Sequence, residues 1–198
     1  MKVTPVIEGF AVAIEAANVD TDQIIPARFL LKSRDAGYGN LLFRDQRFFS
    51  DGTARPGFPL DQDCGEPIRF LIANENFGCG SAREQAVYAL SDFGIRAVIA
   101  PTFGEIFRQN CVRNGVVPAI VSPADAAELR RAARTALHLR LDVERRSILA
   151  SGHEVRFTIS DADETRLLSG RDEIDETMEL EAEIAAYEAR RDLAQFDK

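Results

Sequence analysis

From residue 68 onward, short apolar runs alternate with helical periods, and few folds accept that order. Residues 68–73, 95–100 and 116–121 read as short buried strands, while 82–93, 103–113 and 123–137 carry apolar residues at helical spacing. Gly94 stops the first of these helices and Asn114-Gly115 closes the second. Strand–helix–strand–helix–strand calls for a parallel sheet with covering helices. Upstream, residues 6–17 hold one long strand or two short ones. Downstream, 139–148 and 153–159, separated by Ala150-Ser151-Gly152, are expected to pair as a hairpin. The acid-rich tail from Asp161 is expected to carry a last helix over 181–193, with its charge on a solvated face. The expectation is one α/β domain over residues 1–198: a central, mostly parallel sheet flanked by helices, with an additional β-hairpin.

The most informative turn joins the first of these strands to its helix: Asn76-Phe77-Gly78-Cys79-Gly80-Ser81-Ala82-Arg83-Glu84-Gln85. Ala86, Val87, Leu90 and Phe93 then share one helical face. Ser81 followed by Glu84 has capping-box spacing, which makes Ser81 the expected N-cap. The free amides of a helix start attract anions. Helical side chains lean toward the N-terminus, so Arg83 in the first turn would reach back over the opening. A hydroxyl, a guanidinium and unpaired amides would then meet at one point, suited to a carboxylate-bearing substrate. The plainer reading is that Ser-x-x-Glu merely caps a helix.

Two other stretches bear on this turn. Asn18-Val19-Asp20-Thr21-Asp22-Gln23-Ile24-Ile25-Pro26 is either an Asx-type turn capping the next element or a polar loop that supplies Asp22 to a site. Residues 37–67 form a long Gly/Pro-rich region whose Phe43, Phe48, Phe49 and Phe58 are expected to anchor it to the core.

Composition narrows the function. A formal charge of -8 without a basic cluster argues against nucleic acid as the main partner. Cys64, Cys79 and Cys111 are odd in number and lack CxxC spacing, suggesting neither a disulfide framework nor an independent metal site. No basic segment followed by an apolar run opens the sequence and no stretch has membrane length, so a cytoplasmic protein is expected.

Three segments together carry a family resemblance: Asn18-Val19-Asp20-Thr21-Asp22-Gln23-Ile24-Ile25-Pro26-Ala27-Arg28-Phe29-Leu30, Asn76-Phe77-Gly78-Cys79-Gly80-Ser81-Ala82-Arg83-Glu84, and Ala97-Val98-Ile99-Ala100-Pro101-Thr102-Phe103-Gly104-Glu105-Ile106-Phe107. In that order they resemble the small subunits of the bacterial isopropylmalate dehydratases, the swivelling domain of the aconitase superfamily made as a separate polypeptide. Ala185-Ala186-Tyr187-Glu188-Ala189 is similar to the end of those chains. The resemblance implies dehydration and rehydration of a hydroxy diacid, 2-isopropylmalate to 3-isopropylmalate through isopropylmaleate, in leucine biosynthesis. It implies a large-subunit partner carrying a 4Fe–4S cluster that acts as Lewis acid, and no cofactor bound by this chain. By motif position, Ser81 would remove the carbon-bound proton and Arg83 would bind a substrate carboxylate. Asp22, Arg28 and the turn amides of Gly80 and Ala82 would line the site.

A serine base makes a heavy demand. A hydroxyl with a pKa near that of water, about 15.7, lies roughly eight units too high, on the order of 11 kcal/mol. A helix N-terminus contributes at most about 2 kcal/mol, so the remainder must come from the partner and the bound substrate, and the chain alone is expected to be inactive. The family often shows Ser-Ser-Arg-Glu-His where this chain has Ser81-Ala82-Arg83-Glu84-Gln85, which removes one hydroxyl but leaves base and arginine. In relatives acting on homocitrate-type substrates an arginine stands where Leu31 aligns; an apolar Leu31 suits an isopropyl group, with Lys32 close by. Phe29 and Leu30 read equally well as core residues. Three rivals stand beside this reading. One is a hydro-lyase subunit for another diacid of the methylmalate, citraconate or homoaconitate type. Another is an anion- or nucleotide-binding module, against which Gly78-Cys79-Gly80 matches neither GxGxxG nor a Walker lysine. The last is a hydrolase using Cys79, for which His138 and His153 stand in no recognisable setting.

Overall fold

Strands whose residues are apolar on both sides need cover on both sides, and the chain supplies it. The computed structural model describes residues 2–135, 137–171 and 173–196. In chain order the elements are β1 (Val6–Ala13), α1 (Thr21–Ile24), α2 (Arg44–Arg47), β2 (Ile68–Ile72), α3 (Glu84–Phe93), β3 (Ala97–Ala100) and α4 (Glu105–Arg113). There follow β4 (Val117–Ile120), α5 (Pro123–Ala132), β5 (Leu137–Asp142), β6 (Ser147–Ala150), β7 (His153–Arg156), α6 (Asp161–Ser169), α7 (Glu173–Met178) and α8 (Glu181–Phe196). The sheet order is β4-β3-β2-β1-β5-β6-β7. β1 to β4 run parallel, and β5, β6 and β7 continue from β1 in antiparallel steps.

Alternation along each parallel strand splits the core into two layers. Ala11, Ala13, Phe70, Ile72, Ala97 and Ile99 face one side, where Ala126, Leu129 and Leu167 of α5 and α6 close over them. Val12, Ile14, Leu71, Ala73, Val98 and Ala100 face the other, beneath α3 and the long segment after β1. The expected βαβαβ unit is therefore present, with ends that differ by at most two residues. The helix begun at Pro123 stops at Ala132 and gives way to a 3-10 turn, and Leu137 enters β5 rather than closing the helix.

The C-terminal strands depart from expectation. Residues 139–148 are not one strand: the Asp142 carboxylate accepts from the Arg145 amide (2.9 Å), and Arg146 takes a left-handed φ of 52°. That turn breaks the run into β5 and β6, so the predicted hairpin is a three-stranded meander. Its second turn lies where the sequence put it, with Ser151 (φ 47°) and Gly152 (φ 85°) both left-handed as a two-residue hairpin requires. The tail holds α6, capped by Ser160 on the Asp163 amide (3.1 Å), before α7 and the expected α8.

The long segment between β1 and β2 is anchored, though not by all four of its phenylalanines. Phe43 is fully buried and Phe58 packs against it, ring centres 5.5 Å apart. Phe48 and Phe49 instead lie under the guanidiniums of Arg44 and Arg55, at 4.2 and 4.3 Å. Gly39 lets this segment dock on the end of α3, since a Cβ there would stand 2.8 Å from the backbone of Asp92 and Phe93. We expect Gly39→Ala to cost about 2 kcal/mol by overpacking, a Tm lower by about 6 °C for a domain of this size, measurable by thermal unfolding.

Candidate functional site

The carboxyl ends of β1, β2 and β3 send their loops to one place, the usual position of ligand sites in parallel sheets. Residues 76–79 run between the loop after β1 and the loop after β3, bonded on both sides. On one side the Gly78 amide donates to Val19 O (2.7 Å) and the Thr21 amide to Cys79 O (3.0 Å). On the other the Phe77 amide donates to Thr102 O (3.1 Å) and the Gly104 amide to Phe77 O (2.9 Å). The Asn76 amide also donates to Thr102 Oγ1 (2.7 Å), and the Asn76 side chain to Asn18 Oδ1 (2.8 Å). Gly78 is required twice over: its φ is 73°, and a Cβ would lie 2.2 Å from the Phe107 ring.

This stitching corrects the expected helix start. Ser81 is not the N-cap; Arg83 is, in an extended conformation (φ -127°, ψ 107°) without a side-chain cap, and α3 begins at Glu84. The Thr21 hydroxyl donates to Ser81 O (2.9 Å) and ties the backbone after Gly80 to the loop after β1 rather than to the helix. Glu84 does not close a capping box either, because its carboxylate accepts from the Asn114 side chain at the end of α4 (2.9 Å). Ser81 therefore stands exposed, two residues ahead of the N-cap.

Arg83 and Asp22 come together as an ion pair. The Arg83 side chain is 15% exposed and that of Asp22 52%. The capping reading of the Asp-Thr-Asp loop holds, with Asp20 accepting from the Gln23 amide (2.8 Å), and Asp22 in the first turn of α1 reaches Arg83. Gly80 (φ 88°) packs against Asp20 and Thr21, and Gly80, Ser81 and Ala82 are exposed.

The neighbouring loop is arranged differently. Arg28 is engaged by Asp45 in a two-pronged pair, Nη1 to Oδ2 at 2.7 Å, and lies over the Phe29 ring at 4.5 Å. That pairing raises the arginine's pKa and lowers the carboxylate's. Lys32 is exposed with its Nζ 5.4 Å from the Phe29 ring. Phe29 and Leu30 pack partly against the core, whereas Leu31 is fully exposed, 100%. Buried Tyr38 fixes the loop, its hydroxyl donating to Lys32 O (2.7 Å) and its amide to Asp92 (3.0 Å). Thr21, Thr102 and Tyr38 position the site without having been singled out in the sequence; a threonine inside each of two recognisable motifs was the available signal.

Cys79 has no catalytic histidine beside it. His138 lies within the sheet edge-on to Phe10, 3.9 Å from Glu66, and His153 opens β7. Burial pushes the Cys111 thiol far up, leaving it inert. Among the described residues no group of three or more His, Cys, Asp or Glu side chains is placed to hold a metal ion, and no described helix is long and apolar enough to cross a membrane.

A mixed sheet with these loops at its carboxyl end is the aconitase C-terminal domain, and residues 1–124 match that family's model. A 3-isopropylmalate dehydratase small subunit from Geobacillus kaustophilus is 43% identical over 192 residues, covering 96% of this chain and 98% of its own. One from Anaeromyxobacter dehalogenans is 43% identical over 187 residues, covering 94% and 97%. The chain belongs to this family, in its branch of 3-isopropylmalate dehydratase small subunits. The fold agrees with the crystal structure of a 3-isopropylmalate dehydratase from Methanocaldococcus jannaschii: TM-score 0.66 at 24% identity, over 92% of this chain and 99% of that one.

The Thr21 hydroxyl should act on position rather than stability. Thr21→Val removes one part-buried hydrogen bond, costing about 1 kcal/mol. We expect Tm to fall by only about 3 °C together with a clear loss of turnover once the variant is assembled with its large subunit.

Proposed function

We propose that this chain is the small subunit of a 3-isopropylmalate dehydratase, a hydro-lyase of leucine biosynthesis that works in the cytoplasm with a separate large subunit. In this reading the small molecule is 2-isopropylmalate, isomerised through isopropylmaleate. The observation that carries the proposal is exposed Ser81 two residues ahead of Arg83, whose guanidinium pairs with Asp22, at the carboxyl end of a parallel sheet. A 4Fe–4S cluster on the large subunit would supply Lewis acidity toward the leaving hydroxyl; this chain's part is the proton and the carboxylate.

Ser81 takes the carbon-bound proton as the substrate loses water and returns one on rehydration. Arg83, held in the free chain by Asp22, turns its guanidinium to a substrate carboxylate, for which its planar fork of donors is suited. Asp22 then keeps the guanidinium oriented from behind. The amides of Gly80 and Ala82 line the turn through which the substrate enters. Because Ser81 lies outside the helix, the dipole of α3 supplies less than the ~2 kcal/mol a capping residue would feel. More of the roughly 11 kcal/mol needed to approach an alkoxide must then come from the substrate, the partner and exclusion of water. A phosphate ligand fits the turn poorly, since the Asp22 carboxylate faces the same arginine.

Leu31 completes the reading. A leucine held wholly in water gains about 1.5–3 kcal/mol if a ligand or partner covers it. An isopropyl group accepts that contact, while a third carboxylate would be desolvated without a partner.

The test is assembly with the large subunit and an assay on 2-isopropylmalate, methylmalate and a homocitrate-type tricarboxylate. We expect the isolated chain to be inactive, and Ser81→Ala in the complex to lower kcat by about 10²–10⁴-fold with the complex intact; activity of the isolated chain would overturn the need for a partner, and an unimpaired Ser81→Ala complex would remove Ser81 from the chemistry. Leu31→Arg is expected to reduce turnover of isopropylmalate relative to the tricarboxylate, and an unchanged ratio would take Leu31 out of substrate choice.

A further inference from the structure

The amino end of the parallel strands, opposite Ser81, carries a second basic site. A cavity of about 320 Å³ opens there between the start of the chain and β2, lined by Lys2, Val3, Ile7, Glu8, Arg69 and Arg96 among others. The backbone is shaped to put Arg69 into this space. Phe10 of β1 pairs with Ile68 and the next residue, Ala11, with Phe70, so Arg69 is the extra residue of a bulge. Bulges re-aim side chains and gather next to sites. Gly9 clears the way for its stem, since a Cβ on Gly9 would stand 2.5 Å from Arg69 Cγ.

Both arginines have a structural duty that does not exhaust them. Arg69 Nη1 donates to Gly94 O (3.1 Å), and Arg96 Nη1 to Ser91 O (2.9 Å) and Ile95 O (3.1 Å), all at the carboxyl end of α3. These bonds occupy one nitrogen of each guanidinium, out of five N–H donors. The helix end offers about half a negative charge against two positive ones. Among the described residues neither arginine has a carboxylate within ion-pairing distance; Glu8, the one acid lining the cavity, lies 3.5 Å from Arg140 instead. Burial, and after it the like charge of Arg69, lowers the pKa of Arg96, and the nearby Asp92 carboxylate offsets this only in part.

We propose that this cavity binds a small oxyanion, a carboxylate or a phosphate, with any short apolar part of the ligand lying on Val3, Val6 and Ile7. The anion bridges Arg69 and Arg96, and Lys2 closes over it. The site is independent of Ser81 and of the function proposed above.

Isothermal titration and thermal unfolding of the full-length chain, at ionic strength held constant with sodium chloride, test this with two probes: inorganic phosphate and 3-methylbutanoate. At least one should bind one per chain and raise Tm by about 3 °C near ten times its Kd; which one does so distinguishes a phosphate from a carboxylate site. Arg96→Gln, which keeps an amide donor for the helix end but removes the charge, should weaken that binding at least tenfold. Lys2→Glu, at an exposed position that leaves folding undisturbed, should weaken it as well. Arg83→Gln should leave the affinity unchanged, separating this site from the turn at Ser81. Absence of binding by both probes, affinity unchanged in both Arg96→Gln and Lys2→Glu, or loss of binding in Arg83→Gln would overturn the proposal.

Discussion

The structure depends on residues 76–81 being bonded from both sides. A turn that leaves a parallel strand ordinarily enters its helix within a few residues, and its side chains then follow helical geometry. Here the loops after β1 and β3 grip the segment through Val19, Thr21, Thr102 and Gly104. The grip is possible only because Gly78 and Gly104 leave no Cβ in the way: one on Gly104 would meet Gly78 O at 2.4 Å. The chain is thereby kept out of the helix as far as Ser81. A capping serine turns its hydroxyl onto amides of its own helix; Ser81, two residues ahead of the N-cap, is released from that duty. The local bonding thus decides whether Ser81 caps or faces a ligand.

Helix α3 carries this decision to the rest of the loop system. Arg83 stands at its N-cap on Asp22. Tyr88, one and a half turns on, receives the Arg34 guanidinium at 3.7 Å and the edge of Tyr38 at 5.9 Å. Asp92 accepts from the Tyr38 amide, and the end of the helix is held by Arg69 and Arg96. One helix therefore fixes the arginine of the turn and the backbone from which Leu31 projects. A shift of α3 along its axis would move both together, which under the proposed function ties carboxylate binding and the choice of apolar group to a single rigid element.

How much of this was legible in the sequence follows from the range of the interactions. The parallel strands and their helices were legible because apolar periodicity is local. The two-residue turn at Ser151-Gly152 was legible for the same reason. The break after Asp142 was not read, although the polar run Glu144-Arg145-Arg146-Ser147 interrupts the alternation there; it is fixed by the Asp142 side chain on the Arg145 amide. At the site, Ser-x-x-Glu predicted a cap by local rules, but Thr21, sixty residues away, holds Ser81 O, and Asn114 takes Glu84. Residue identity in the motifs pointed to Ser81, Arg83 and Asp22; their mutual geometry is set by contacts of long sequence separation. Arg28 shows the limit: nothing near it in sequence foretells that Asp45 engages its guanidinium.

The two ends of the sheet treat arginine in opposite ways, and the contrast bears on how the site works. Arg83 is supplied with an acid, Asp22, which offsets its charge and fixes its plane, so a carboxylate arriving there displaces or shares an existing partner. Such a site binds its anion less tightly than a bare guanidinium would, and less ground-state affinity leaves more of the interaction to be realised as charge develops during reaction. Arg69 and Arg96 hold backbone carbonyls and, among the described residues, no carboxylate at ion-pairing distance, an arrangement that suits the anion retention proposed above. Ser81 and Leu31 meanwhile lie in water, one needing its hydroxyl desolvated and the other its side chain covered. Under the proposed function a single closing surface meets both needs, and the exposure of these two residues is then the unfinished half of an active site rather than a defect of the fold.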